Sequence, residues 1–148
     1  MIWVRLAKDN DLEYVKELIR DNDCKRFSEL DKILVGEIDG QIISTASLKI
    51  IENIGLMHTL FVKENFRNQH IGDMTARAII NLADNKDLET LYYLCDNLEF
   101  SYFLSKMHYV PVKLNEVEKH FSDYVFSDKY AFKLDLKEFF KHSCTCDN

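Results

Sequence analysis

Leu60-Phe61-Val62-Lys63-Glu64-Asn65-Phe66-Arg67-Asn68-Gln69-His70-Ile71-Gly72-Asp73-Met74 is the stretch that decides how the rest of the chain reads. It opens as the end of an apolar strand, crosses a polar loop and starts a helix. Backbone N–H groups of such a loop, with those of the first helical turn, have no partner of their own and suit an anion. The helix dipole adds partial positive charge at the same end, so a pyrophosphate fits there. Lys63, Arg67 and Arg77 against Glu64 and Asp73 leave +1 locally, within a chain of formal net charge −6. By composition alone, an ordinary surface loop with a solvated charge mix accounts for the segment equally well.

Outward from this stretch the chain alternates short apolar runs. Trp3 to Leu6 reads as a first strand. Asn10 and Glu13 have the spacing of a helix cap and its reciprocal partner, and Leu12, Val15, Leu18 and Ile19 recur at helical spacing to about Arg20. Cys24 to Lys32 is ambiguous, with room for a short second helix. Ile33–Ile38 and Ile42–Leu48 are β-rich runs joined by Asp39-Gly40, a strong hairpin signal because Gly accepts the positive φ of the turn. Gly55 to Val62 reads as a strand. A helix follows from about Gly72 to Asp84, with Met74, Ala78 and Leu82 on one stripe and Ile79 and Ala83 beside it. Leu91 to Cys95 is a strand, Leu98 to Met107 a helix, and Tyr109 to Leu114 and Tyr124 to Leu134 are closing strands. The order β-α-(α)-β-β-β-α-β-α-β-β, with hairpins early and crossovers late, predicts a mixed α/β (α+β) domain: a mostly antiparallel sheet flanked by helices. One domain spans 1–148, and 137–148 is expected to be a loose tail.

The central segment resembles the acetyl-CoA signature of the GNAT (GCN5-related N-acetyltransferase) superfamily, Arg/Gln-x-x-Gly-x-Gly/Ala. Arg67-Asn68-Gln69-His70-Ile71-Gly72 fills it with His70 in place of the first glycine. Leu60-Phe61-Val62 resembles the strand whose main chain holds the pantetheine arm, and Val4 to Asp9 resembles the family's opening strand. Asn97, Phe103, Lys106 and Tyr109 stand in register with the family's later Asn-x-x-Ala and Phe-Tyr-x-Lys-x-Gly-Phe-like stretch. The resemblance covers roughly the whole chain. It implies acetyl-CoA as acyl donor, with Leu60, Phe61, Val62, Arg67, Asn68, Gln69, His70, Ile71, Gly72, Asp73, Asn97, Phe103 and Lys106 contacting the cofactor. Departures are His70, which must avoid or tolerate a positive φ, Phe100 for a small Ala, His108 for a glycine, and Leu104 where members often place a proton-donating tyrosine.

Acyl transfer to an amine needs a base, because an alkyl amine with a pKa of about 10.4 is charged at neutral pH. His58 is the base candidate. It lies on the Gly55–Val62 strand, in alternation with Leu56, Leu60 and Val62, and imidazole titrates near neutrality. A satisfied, partly buried histidine explains the same residue. A backbone N–H near Phe61 or Val62 suits the oxyanion. For the acid, Tyr92, Tyr93, Tyr102 and Tyr109 lie nearby in sequence, but each also reads as a core or pocket-wall aromatic, so no residue is assigned. His108 suits a helix end.

Bulk properties narrow the rest. With 47% hydrophobic and 30% charged residues, 148 residues support a packed core. The net charge of −6 argues against non-specific nucleic-acid binding. No apolar run is long enough to span a membrane, and Met1-Ile2-Trp3-Val4-Arg5 does not open like a signal peptide, so a cytoplasmic protein is expected. Cys144 and Cys146 beside His142 raise zinc, but no second ligand knuckle appears, and free thiols are the favoured reading; no metal is expected. Cys95 reads as a small core residue. The expected function is an N-acetyltransferase acting on a small-molecule or peptide amine by direct attack; a homodimer is compatible with the sequence. The alternatives are a CoA-binding regulatory protein on the same fold and a nucleotide enzyme, the latter lowered by the lack of a Walker pattern.

Overall fold

The structure, a computed structural model, describes residues 1–21, 32–95, 98, 101–121 and 129–145, with only the backbone described at 20, 21, 58 and 142–145. The chain divides into two compact units, residues 1–49 with 57–82 and residues 50–56 with 83–148.

The first unit opens with β1 (Trp3–Leu6), antiparallel to β2 (Lys32–Ile38), which is in turn antiparallel to β3 (Gln41–Ile51). Asp39 and Gly40 join β2 to β3 with φ of 50 and 80, both in the left-handed region, so the hairpin forms as the sequence predicts. Between Gly36 and Glu37 the register jumps from Ser44 to Ile42, leaving Ile43 as the extra residue of a bulge. A Cβ at Gly36 would fall on Ser44 Oγ, so glycine is required there by close approach alone.

Helix α1 (Leu12–Asp21) follows a 3₁₀ turn over Asp9–Asp11. Lys8 is the cap, with Asp11 as its reciprocal partner accepting the Lys8 N–H at 2.8 Å, in place of the Asn10–Glu13 pair predicted from spacing. The turn starts the helical path three residues early, and this moves the cap upstream. Val15 and Ile19 of α1 pack with Ile33, Val35 and Ile42 in one buried cluster, with Leu12 and Ala7 at its margin.

β4 (Ile54–Val62) and α2 (Ile71–Asn85) bracket the loop that decides the reading. The buried face of α2 is Ile71, Thr75, Ala76, Ile79, Ile80 and Ala83, whereas Met74 is 39% exposed. The predicted Met74–Ala78–Leu82 stripe is therefore one position off. A helical stripe about 100° wide admits either choice on periodicity, and the buried Thr75 disguises the true one.

In the second unit β5 (Thr90–Cys95) and β6 (Val110–Val112) each pair antiparallel with β7 (Tyr130–Asp135), giving the order β5-β7-β6. β6 is an edge strand, where Pro111 is admissible. It is shorter than the predicted Tyr109–Leu114 because the chain turns at Lys113 into an unpredicted helix, α4 (Leu114–His120). Leu56, Tyr92, Leu94, Val117, Phe121 and Ala131 form this unit's core cluster.

α3 (Ser101–Lys106) is also shorter than predicted, and Leu98 is 49% exposed. It ends in a tight cap: His108 N–H bonds Ser105 O, and Tyr109 N–H bonds Leu104 O, each at 3.0 Å, with His108 at φ 70. The same pattern closes α2, with Asp87 at φ 60 and Leu88 N–H on Ala83 O.

Residues 137–145, expected to belong to a loose tail, lie in α5 (Leu136–Thr145). Asp135 Oδ1 accepts the Glu138 N–H at 3.1 Å, and Leu136 and Phe139 are buried, so a cap and two apolar anchors hold this helix. Most of the Cys24–Lys32 stretch and the start of the last predicted strand, from Tyr124, lie outside the described residues.

Candidate functional site

β4 carries Leu60, Phe61 and Val62 to the loop, with Phe61 buried and its neighbours half-buried. Lys63 N–H bonds Ile43 O at 2.8 Å, holding the end of β4 on the bulge of β3. The chain then makes a 3₁₀ turn over Glu64–Phe66. Arg67 folds back on the strand it has just left. Its Nε donates to Val62 O at 2.9 Å, and its guanidinium lies 5.7 Å from the centroid of the Phe61 ring. The loop is thus clamped at both ends before it reaches the helix.

Asn68 and His70 stand at φ 65 and 63 with Gln69 between them, and all three are exposed. His70 tolerates the left-handed conformation rather than avoiding it, which imidazole does more readily than bulky aliphatic residues. Backbone that alternates in this way gathers main-chain N–H groups around an anion.

The first backbone bond of α2 runs from Met74 N–H to His70 O at 3.0 Å, so the N–H groups of Ile71, Gly72 and Asp73 have no acceptor inside the helix. Ile71 is buried and anchors the turn. A Cβ built on Gly72 would meet Val62 Cγ2 at an ordinary 3.7 Å, so the fold does not need glycine here. Asp73 pairs with Arg77 one turn on, 3.1 Å between Oδ2 and Nε. Lys63 Nζ sits 5.2 Å from the centroid of Tyr14 on α1.

His58 lies in β4, as expected. Asn97 lies outside the described residues. Phe103, half-buried, and Lys106, exposed, sit on α3 in the second unit, with Lys106 Nζ 4.8 Å from the centroid of Tyr102. Leu104 is buried on the same helix.

The tyrosines considered as proton donors separate by environment. Tyr92 donates to Glu116 Oε2 at 2.8 Å; loss of solvent, then that carboxylate, holds its proton well above the usual phenol range. Tyr109 is fully buried with its hydroxyl unpartnered among the described residues, and burial, then Tyr93, pushes it up as well. Both are poor acids. Tyr102 is 71% exposed and Tyr93 is buried. Among the described residues no group of three or more His, Cys, Asp or Glu is placed to hold a metal ion, and no helix is long and apolar enough to cross a membrane.

Periodicity missed one residue at the site. Thr75, fully buried, donates to Ile71 O at 2.7 Å and meets Ser44 Oγ at 3.0 Å. Spacing by four from Ile71 to Thr75 to Ile79 was the available signal, hidden by the hydroxyl.

A strand end, a left-handed loop and an open helix N-terminus stand one after another in the first unit. The acetyltransferase (GNAT) family matches residues 3–101, about two thirds of the chain. The chain belongs to the GNAT family. It is an acyl-CoA-dependent N-acyltransferase by that membership.

Among solved structures, a GNAT-family acetyltransferase from Staphylococcus aureus is similar at a TM-score of 0.74 and 14% identity, over 92% of this chain and 99% of its own. N-acetylglutamate synthase from Neisseria gonorrhoeae, solved with coenzyme A and N-acetyl-glutamate, gives 0.77 and 16% over 92% of this chain but only 35% of the synthase. The ribosomal-protein-S18-alanine N-acetyltransferase of Escherichia coli gives 0.69 and 11%, over 92% and 94%. These likenesses establish a GNAT fold, a mixed α/β arrangement with a mostly antiparallel sheet flanked by helices. No curated protein sequence matches the chain significantly.

Proposed function

We propose that this GNAT enzyme transfers the acetyl group of acetyl-CoA to a primary amine, and that Leu60–Asp73 holds the cofactor. The observation that carries the reading is Gly72. Glycine in a helix costs roughly 1 kcal/mol relative to alanine. At this position a methyl group has room, so packing does not demand glycine, and a bare backbone here suits the close approach of a ligand.

The pyrophosphate would rest on the N–H groups of Ile71, Gly72 and Asp73 and on the loop of Asn68, Gln69 and His70, with Arg67 beside it. Leu60, Phe61 and Val62 would run along the pantetheine arm. His58 is the proposed base. The free amine attacks the thioester carbonyl carbon, the C–S bond breaks, His58 takes the amine proton, and solvent water returns a proton to the CoA thiolate, because Tyr92 and Tyr109 hold theirs too firmly. An acidic protein favours a cationic acceptor, either a small molecule or a peptide amine. A cytoplasmic location suits a buried Cys95 that forms no disulfide among the described residues.

Thermal melting with and without acetyl-CoA tests the cofactor assignment, with AMP as control. Ligand at about 100 times its Kd adds about 2.7 kcal/mol, or roughly 5–10 °C for a domain of this size. A shift with acetyl-CoA and none with AMP is expected; no shift with acetyl-CoA at millimolar concentration would remove the assignment. For His58, turnover of His58→Ala across pH, against any amine that serves, should fall steeply; unchanged turnover and pH profile would exclude it as base.

A further inference from the structure

The first turn of α2 is tied to the sheet by a run of buried hydroxyls that lies outside the proposed contact residues. Thr75 Oγ1 donates its one proton to Ile71 O, 2.7 Å away. The 3.0 Å contact between Ser44 and Thr75 must then be a bond from Ser44 Oγ–H to Thr75 Oγ1, since each hydroxyl has a single proton to give. Both side chains are fully buried.

Ser44 sits in β3 at the register position opposite Gly36, next to the bulge. Gly36 is the residue whose missing Cβ leaves space for Ser44 Oγ. Ile43, the next residue along, takes the Lys63 N–H that ends β4. One stretch of β3 therefore fixes both sides of the loop: the strand before it through Ile43, and the helix after it through Ser44 and Thr75.

A hydroxyl pair is an unusual choice for this position if only packing mattered, since Ala and Val would fill the same space with no polar group to satisfy. What the hydroxyls add is direction. The Ser44–Thr75–Ile71 run sets the height of the first helical turn above β3, and with it the placing of the Ile71, Gly72 and Asp73 N–H groups.

We infer that Ser44 and Thr75 are positioning residues for the cofactor's pyrophosphate, acting through the first turn of α2. This rests on the cofactor reading given above and goes beyond it by assigning two residues that touch no ligand.

The test measures acetyl-CoA affinity by calorimetry, well below each protein's melting temperature, together with the melt itself without ligand. Thr75→Val keeps the shape and removes the hydroxyl; Thr75→Ser restores it; Ser44→Ala removes the outer member. Thr75→Val is expected to weaken acetyl-CoA about fivefold to tenfold, Ser44→Ala about threefold, and Thr75→Ser to stay within about twofold of the parent, consistent with one buried hydrogen bond.

A lowered melt with affinity unchanged in Thr75→Val would mean the hydroxyls merely stabilise the fold, and would overturn the inference while leaving the cofactor reading intact. If the parent itself does not bind, the cofactor reading fails first. Should Thr75→Val not fold, Ser44→Ala decides alone: affinity equal to the parent's overturns the inference, and a threefold loss sustains it.

Discussion

His108 and Asp87 close two helices in left-handed backbone that glycine would adopt more easily, in a chain that has only four glycines to spend. Each C-terminus keeps its full set of capping bonds, so the hydrogen bonding of the cap offsets the conformational strain. A β-branched residue raises that strain. His108→Val should lower unfolding free energy by about 1–2 kcal/mol, and His108→Asn should stay within about 0.5 kcal/mol of the parent, as read from urea midpoints. Equal midpoints for the two would mean that φ at this position is not what limits the cap.

Gly72 makes the opposite case. Gly72→Ala should hold or raise stability by up to about 1 kcal/mol, because the methyl meets only Val62 at contact distance. The same change should weaken acetyl-CoA by about tenfold or more if a phosphate approaches the backbone there. A variant both stabilised and fully able to bind would remove the explanation offered for this glycine.

Among elements, the join of β1, the 3₁₀ turn before α1, and β2 rests on one guanidinium. Arg5 reaches Asp11 Oδ2 at 2.7 Å and Glu37 Oε2 at 3.0 Å, and all three side chains are mostly shielded. The two carboxylates hold the Arg5 proton even more firmly than usual, and the Arg5 hydrogen bond lowers the Asp11 pKa. Arg5→Met should cost about 1.5–3 kcal/mol by leaving two half-buried carboxylates without their shared donor.

The pH dependence has a definite sign. A carboxylate with a depressed folded pKa stabilises the fold above its unfolded value, about 3.9, and that contribution fades as pH falls from there through the folded value. The stability gap between parent and Asp11→Asn should therefore be full at pH 6 and shrink below about pH 4. A gap that persisted unchanged to pH 3 would mean Asp11 acts by geometry alone.

Over the whole molecule, net charge and local charge pull in different directions. The chain carries −6 overall, while Lys63, Arg67 and Arg77 surround the loop before and within α2. A cationic acceptor gains from the overall field, and that gain is screened by salt. The KM of a polyamine-like acceptor should rise about twofold to fivefold between 50 mM and 500 mM KCl. A KM that stayed level or fell would mean the acceptor is chosen by contacts and not by the field.

The order of the described elements as far as β6, the Asp39-Gly40 hairpin and the strand–loop–helix at 60–74 were legible in the sequence because each depends on local rules: alternation, turn chemistry, and the period of an amphipathic helix. The Arg67-to-Gly72 resemblance was legible for a related reason, since the family's signature lies in one short contiguous run.

Tertiary structure decided what local rules leave degenerate. It chose Thr75 over Met74 for the buried face of α2, moved the cap before α1 from Asn10 upstream to Lys8, and turned residues expected in a loose tail into α5. It also paired Ser44 with Thr75, 31 positions apart in the chain, beneath a glycine whose role is only to leave room. Local propensities differ by a few tenths of a kcal/mol between adjacent registers, whereas burying the wrong side chain costs several times more, so contacts distant in sequence settle each of these choices.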